Sequence, residues 1–183
     1  MRLQPIEKPE GLAMRMAYWG TRRQFGKVMT PIKVVLARMP GSMRFSYAIT
    51  KFELNGLRLE PELHYLIVTL TSQVNGCGFC WDLGRSMAMK AGIDLQKFDA
   101  LGEYRKSALF SERERAALAY AEEATRSRRV SDSTFAELRK HFDDREIAEI
   151  TWINALENYY NLINIPLEIE SDGFCALIQQ RKP

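Results

Sequence analysis

Residues 63–74, LHYLIVTLTSQV, constrain this chain more than any other stretch. A helix drawn through them is apolar on nearly all sides, so other elements must surround it. Glu60-Pro61-Glu62 supplies the acids and proline that suit a first turn, and Asn75-Gly76 suits the end. The rest of the chain supplies the wrapping. Leu12 to Gly26 has helical spacing with Gly20 interrupting, and Pro31 opens IKVVLARM before Pro40-Gly41 stops it. Met43 to Asn55 is a further segment, weakly periodic.

Downstream, Cys77-Gly78-Phe79-Cys80 opens a helix that runs to Ala91-Gly92, and Ile93 to Leu101 forms a short one. Ser111 with Glu114 matches a capping box ahead of RAALAYAEEATR. Ser131 and Ser133 can cap a helix through Lys140, and Asp143 or Asp144 can cap REIAEITWINALENYYNLIN, which ends before Pro166. That helix is apolar at 147, 150, 153, 156, 159 and 163. A short last helix near Phe174 to Gln179 carries Cys175. No alternating strand or repeat interrupts the pattern, and the expectation is an all-α bundle.

At 183 residues, 46% hydrophobic and 27% charged, the chain suits one globular core without disulfide staples. We divide it into residues 1–40, an arm with short helices, and 41–183, the helical domain. The net charge of +3 is dispersed rather than striped, which argues against a nucleic-acid partner. No run approaches the roughly 18 apolar residues of a membrane span. The first twenty residues lack a signal-peptide core, so the expected location is cytoplasmic. Tyr18, Trp19, Phe25, Met29, Val34, Val35, Leu36 and Met39 put apolar area on short helices that are marginal alone. We therefore expect a homo-oligomer through this segment, its arginines at the rim or facing Glu112, Glu114, Glu122 and Glu123 of a neighbour.

Cys77 and Cys80 carry the chemistry. At a helix N-terminus the dipole and free amides favour a thiolate, and the CxxC spacing closes a disulfide with little rearrangement. Gly76 and Gly78 let the backbone turn, and Phe79 and Trp81 can shield the pair. A structural zinc site would need four ligands, and Cys175, His64 and His141 are lone residues. Two bystander core cysteines are the other alternative. Redox use leads, with no metal and no cofactor.

VNGCGFCWDLGRSMAMKAG resembles the core motif of the carboxymuconolactone decarboxylase and alkylhydroperoxidase AhpD superfamily. The resemblance covers roughly residues 40 to 165, most strongly 59 to 93. It implies an AhpD-like helical bundle that assembles as a trimer or a multiple of one. By the same resemblance the dithiol reduces a peroxide or a disulfide in an antioxidant role, and an external dithiol re-reduces it.

The family pairs its dithiol with a glutamate twelve residues before the first cysteine and a histidine four after the second. Tyr65 and Gly84 stand there instead, so the proton relay does not carry over. Candidate substitutes are Tyr65, His64, Asp82 with Arg85, and Glu157, with Glu149, Asn154, Asn158 and Tyr160 behind them. The resemblance implies attack by Cys80 and resolution by Cys77, whereas thioredoxin-type chemistry uses the first cysteine. Two rival readings stand beside the oxidoreductase: a carboxymuconolactone decarboxylase-like enzyme, and a non-catalytic or redox-sensing assembly protein of the same fold.

Overall fold

The structure, a computed structural model, describes residues 1–180, so the last three positions of the 41–183 unit lie outside the described residues. The described residues form an all-α fold without strands, as the sequence predicts. Ten helices follow in order: α1 Leu12–Phe25, α2 Thr30–Val34, α3 Ser42–Asn55, α4 Pro61–Asn75, α5 Gly78–Lys90, α6 Gln96–Asp99, α7 Glu112–Ser127, α8 Asp132–Arg139, α9 Asp144–Asn164 and α10 Phe174–Gln179. None is long and apolar enough to cross a membrane.

Helix α4 is the central element and packs on α5, α7 and α9. Leu66, Ile67, Leu118, Leu138 and Ile150 meet around it with no measurable exposure. The ends are set locally. Pro61 opens α4, and Gly76 closes it at φ +75°, donating its N–H to Gln73 and Ser72 carbonyls. Capping boxes at Ser111/Glu114 and Asp143/Glu146 start α7 and α9, and Ser131 rather than Ser133 caps α8.

The stripe expected on α9 holds for half its length. Ile147, Ile150 and Ile153 are buried, but Tyr159 is 43% exposed while Glu157, Asn161 and Asn164 turn inward. The apolar pattern misleads here because this end of α9 faces a polar centre rather than the core.

The first forty residues pack on their own chain. Tyr18, Phe25 and Val34 are buried, and the Tyr18 hydroxyl donates to the Ile6 carbonyl at 2.6 Å. Phe25 packs at a tilt against Phe174 with ring centroids 5.2 Å apart, and Lys27 pairs with Asp172 at 2.8 Å. Of the residues expected at an interface, Trp19 and Met39 point outward. The acids expected to meet a neighbour have partners at home: Glu114 with Lys97, Glu122 with Arg105 and Arg126, Glu112 with Arg115, and Glu123 with Ser131. A second group of exposed apolar residues lies on α3 and α9. Phe45, Tyr47, Phe52 and Leu54 of α3 and Trp152, Tyr159, Leu162 and Ile165 at α9 are all 40% exposed or more. Phe45 against Tyr159 and Phe52 against Trp152 join the two helices into one surface.

Candidate functional site

Two residues separate the end of α4 from the start of α5, Gly76 and Cys77, so the turn itself delivers the first cysteine as the N-cap of α5. The Cys77 sulfur accepts the Cys80 N–H at 3.4 Å, and the two sulfurs lie 2.6 Å apart. A disulfide of about 2.05 Å needs only a small shift from there. Cys77 and Cys80 are 2% and 4% exposed, in a cluster with Phe25, Val34, Phe79, Ile169 and Phe174. The N-terminal segment and α10 thus form the lid over the dithiol. Phe79 takes part in it, packing edge-on against Phe174 at 6.1 Å. Trp81 does not: it faces outward under the Arg85 guanidinium at 4.6 Å.

The pair titrates unequally. Hydrogen bonding from Cys80 holds the Cys77 thiol below its ordinary value against the cost of burial. The same contact with Cys77, then burial and the nearby Glu157 charge, push Cys80 far upward. Cys77 is therefore the first to ionise.

Helix α9 brings the carboxylate. Glu157 accepts Ser72 Oγ at 2.7 Å and Asn161 Nδ2 at 2.5 Å, and the Cys80 thiol also reaches its carboxyl. Burial pushes Glu157 up to about 8, so at neutral pH it carries a proton. One turn further on, Asn164 donates from Nδ2 to Cys80 Sγ at 3.2 Å. Sequence reasoning reached Glu157 as one candidate among several and missed Ser72 and Asn164. The signal for Asn164 was helical register, since 157, 161 and 164 share a face of α9, and Ser72 on α4 had none.

Of the other candidates, Tyr160 packs against the cysteine cluster and the rest are engaged elsewhere. His64 meets Glu53 at 3.9 Å and Tyr65 at 5.2 Å between rings, and burial holds it down to about 4, hence neutral. Tyr65 packs on the main core, its hydroxyl raised by burial and then by Glu53. Asp82 is buried and accepts Ser171 Oγ, Phe174 N and Cys175 N at 2.7 to 3.0 Å, which pins α10 to α5. Cys175, pushed up to about 12 by burial and by Asp82, donates to the Asp82 carbonyl. Arg85 pairs with Asp99. Glu149 accepts the Arg58 and Leu59 N–H groups, and Asn154 and Asn158 tie α9 to Thr125 on α7. Tyr160 packs against the dithiol cluster, and burial pushes the pKa of its hydroxyl upward.

At Gly84 the helix packing leaves little room for a relay histidine. A Cβ there would lie 3.0 Å from Thr69 Oγ1 and 3.1 Å from Val68 Cγ1, so α4 and α5 approach too closely for any larger side chain without a shift. Among the described residues no group of three His, Cys, Asp or Glu is placed to hold a metal ion.

Residues 43–123 match the family model described as "Carboxymuconolactone decarboxylase family". Over its whole length the chain is similar to the uncharacterized protein YnjA of Escherichia coli K12, 29% identical across 99% of this chain and all of that one. Among solved structures, ATU0492 of Agrobacterium tumefaciens, a protein of unknown function named for AhpD, superposes with a TM-score of 0.69 at 27% identity, over 75% of this chain and 96% of that one. The debrominase Bmp8 superposes with a TM-score of 0.80 at 20% identity over 98% and 97% of the two chains, a likeness of fold alone.

Proposed function

The chain belongs to the carboxymuconolactone decarboxylase/AhpD superfamily, and on that premise we propose that it is a thiol oxidoreductase whose Cys77–Cys80 dithiol reduces a peroxide. The observation that carries this reading is a buried carboxyl, Glu157, held by Ser72 and Asn161 beside two sulfurs 2.6 Å apart, with burial pushing it toward the protonated form. It supplies the acid that Tyr65 and Gly84 cannot.

Cys77 is the attacking thiolate, because it ionises first and caps α5. It takes the terminal oxygen of the hydroperoxide, forming a sulfenic acid and releasing an alkoxide, which is protonated by Glu157. The Cys80 sulfur then attacks the sulfenic sulfur, the disulfide closes, and the hydroxyl leaves with the Cys80 proton as water. An external dithiol returns both electrons and protons, one of the latter to Glu157. These roles reverse the order that the family resemblance implies. Burial of both sulfurs favours a small peroxide over a folded protein's disulfide, and the acid beside the dithiol favours catalysis over a purely assembling role. The presence of both cysteines weighs against a decarboxylase.

We assign a homo-oligomer contact to the α3/α9 face rather than to residues 1–40, where Tyr18, Phe25 and Val34 are spent inside the chain. The reading is tested by peroxide turnover with a reducing partner in Cys77→Ser and Cys80→Ser. Each variant should lose at least about a hundredfold in rate with an unchanged far-UV spectrum. Collapse of the helical signal with the activity would make the pair structural and end the redox reading.

A further inference from the structure

We propose that Asn164 is a catalytic residue of this site with two separate tasks: its amide N–H holds the reacting sulfurs, and its Oδ1 accepts the O–H of the incoming hydroperoxide. The inference rests on the dithiol reading above and deepens it.

Asn164 is the last residue of α9 and is 3% exposed. Its Nδ2 donates to Cys80 Sγ at 3.2 Å, a contact that favours the ionised sulfur, and the same amide acts on Cys77 in the same direction. The other end of the side chain is unusual. Oδ1 is buried and has no hydrogen-bond partner; among the described residues Thr69 Oγ1 is the one other buried side-chain oxygen or nitrogen in that condition. A buried acceptor left empty keeps its desolvation cost uncompensated, and such a group in a folded chain calls for an explanation. Thr69 lies where α4 and α5 approach closely at Gly84, away from the reacting sulfurs' hydrogen bonds. Asn164 is bonded to one of those sulfurs.

An amide fixed to the sulfur by its nitrogen holds its oxygen beside the same reaction centre. The ligand that completes it must bring a hydrogen-bond donor to the atom that is attacked. A disulfide has no such donor. A hydroperoxide has one, on the terminal oxygen that Cys77 takes, and that hydrogen stays on the oxygen as the sulfenic hydroxyl. Asn164 Oδ1 therefore accepts the same hydrogen before and after transfer, while the alkoxide oxygen takes its proton from Glu157.

Pre-reduced protein is mixed with tert-butyl hydroperoxide or with 4,4′-dithiodipyridine, a disulfide without an O–H, and single-turnover oxidation is followed for wild type, Asn164→Leu and Asn164→Asp. Asn164→Leu should slow the hydroperoxide about tenfold or more beyond any slowing with the disulfide. Asn164→Asp, which keeps an acceptor and loses the donor, should slow both and keep the wild-type ratio. A thiolate absorbance titration should show the Cys77 pKa raised in both variants. If Asn164→Leu does not fold, Asn164→Ala carries the same comparison. Equal slowing with both oxidants in the apolar variant overturns the acceptor role. Wild type that reacts with the disulfide alone also overturns it and leaves the dithiol a disulfide reductase. Wild type that closes no Cys77–Cys80 disulfide with either oxidant sinks the underlying reading instead.

Discussion

The two halves of α9 are equally buried and built for opposite ends. Ile147, Ile150 and Ile153 of the first half fill the bundle core against α4 and α7, whereas Glu157, Asn161 and Asn164 of the second half face the dithiol across the same α4. In the first half burial removes apolar surface from water and stabilises the fold. In the second it desolvates a carboxyl, raises its pKa and readies it for proton transfer. Burial by itself therefore says nothing about whether a position serves stability or chemistry. The partner groups decide. Asn154 and Asn158, at the junction, are polar and satisfied by Thr71, Thr125 and the Ala121 carbonyl, so they join the halves without taking part in either task.

That contrast is open to direct attack. The largest effect on stability is expected from Ile150→Ala, which empties a fully buried site of α9 in the core cluster around α4 and should cost about 2–5 kcal/mol in a urea melt. The folded fraction should keep its rate per molecule. A loss of that rate at constant folding would show that the apolar half also shapes the site, and the division would fail.

Glu157→Gln should act the other way round, lowering turnover by roughly a hundredfold at neutral pH through loss of the acid. Its stability effect depends on pH. In the unfolded chain the carboxyl gives up its proton in the ordinary carboxylate range, while the folded chain keeps it up to about 8. The stability it lends is thus complete at low pH, declines as pH rises through that window, and is lost above about 8. Gln cannot ionise and should flatten that decline while keeping an oxygen for Ser72 and Asn161. Thermal melts of both proteins across the window check it, and parallel curves would mean that the carboxyl is already ionised in the folded protein. In wild type the turnover should also fall as pH rises through about 8.

The smallest effect on the chain itself is expected on the outer side of α9, where Leu162→Glu should leave monomer stability within about 0.5 kcal/mol. If this face joins copies, light scattering should show a smaller particle for Leu162→Glu than for wild type. A monomeric wild type would remove the oligomer proposal, and an unchanged oligomer in the variant would move the contact elsewhere.

Helix starts, helix stops and the dithiol turn were legible because each depends on neighbours within a few residues. Pro61, Gly76, the Ser111/Glu114 box and the Asp143 cap do in the fold what their local chemistry dictates. The central place of α4 followed from its all-round apolar surface, since no other environment accepts one. The partners of the sulfurs were not legible in the same way. Glu157 and Ser72 stand 85 residues apart, and Asn164 and Cys80 84 apart. Which face of α9 meets which face of α4 and α5 is settled by the sum of many packing contacts, to which Gly84 against Thr69 contributes a close approach that no local pattern announces. For the same reason the apolar residues of the first forty positions could not be assigned to the inside or the outside: only the docking of α1 and α10 decides that Phe25 closes over the dithiol. Sequence by itself determined the helices and the reactive pair; the tertiary structure decided which distant carboxyl and amide attend that pair, because desolvation and contact across the bundle exist only once the helices have packed.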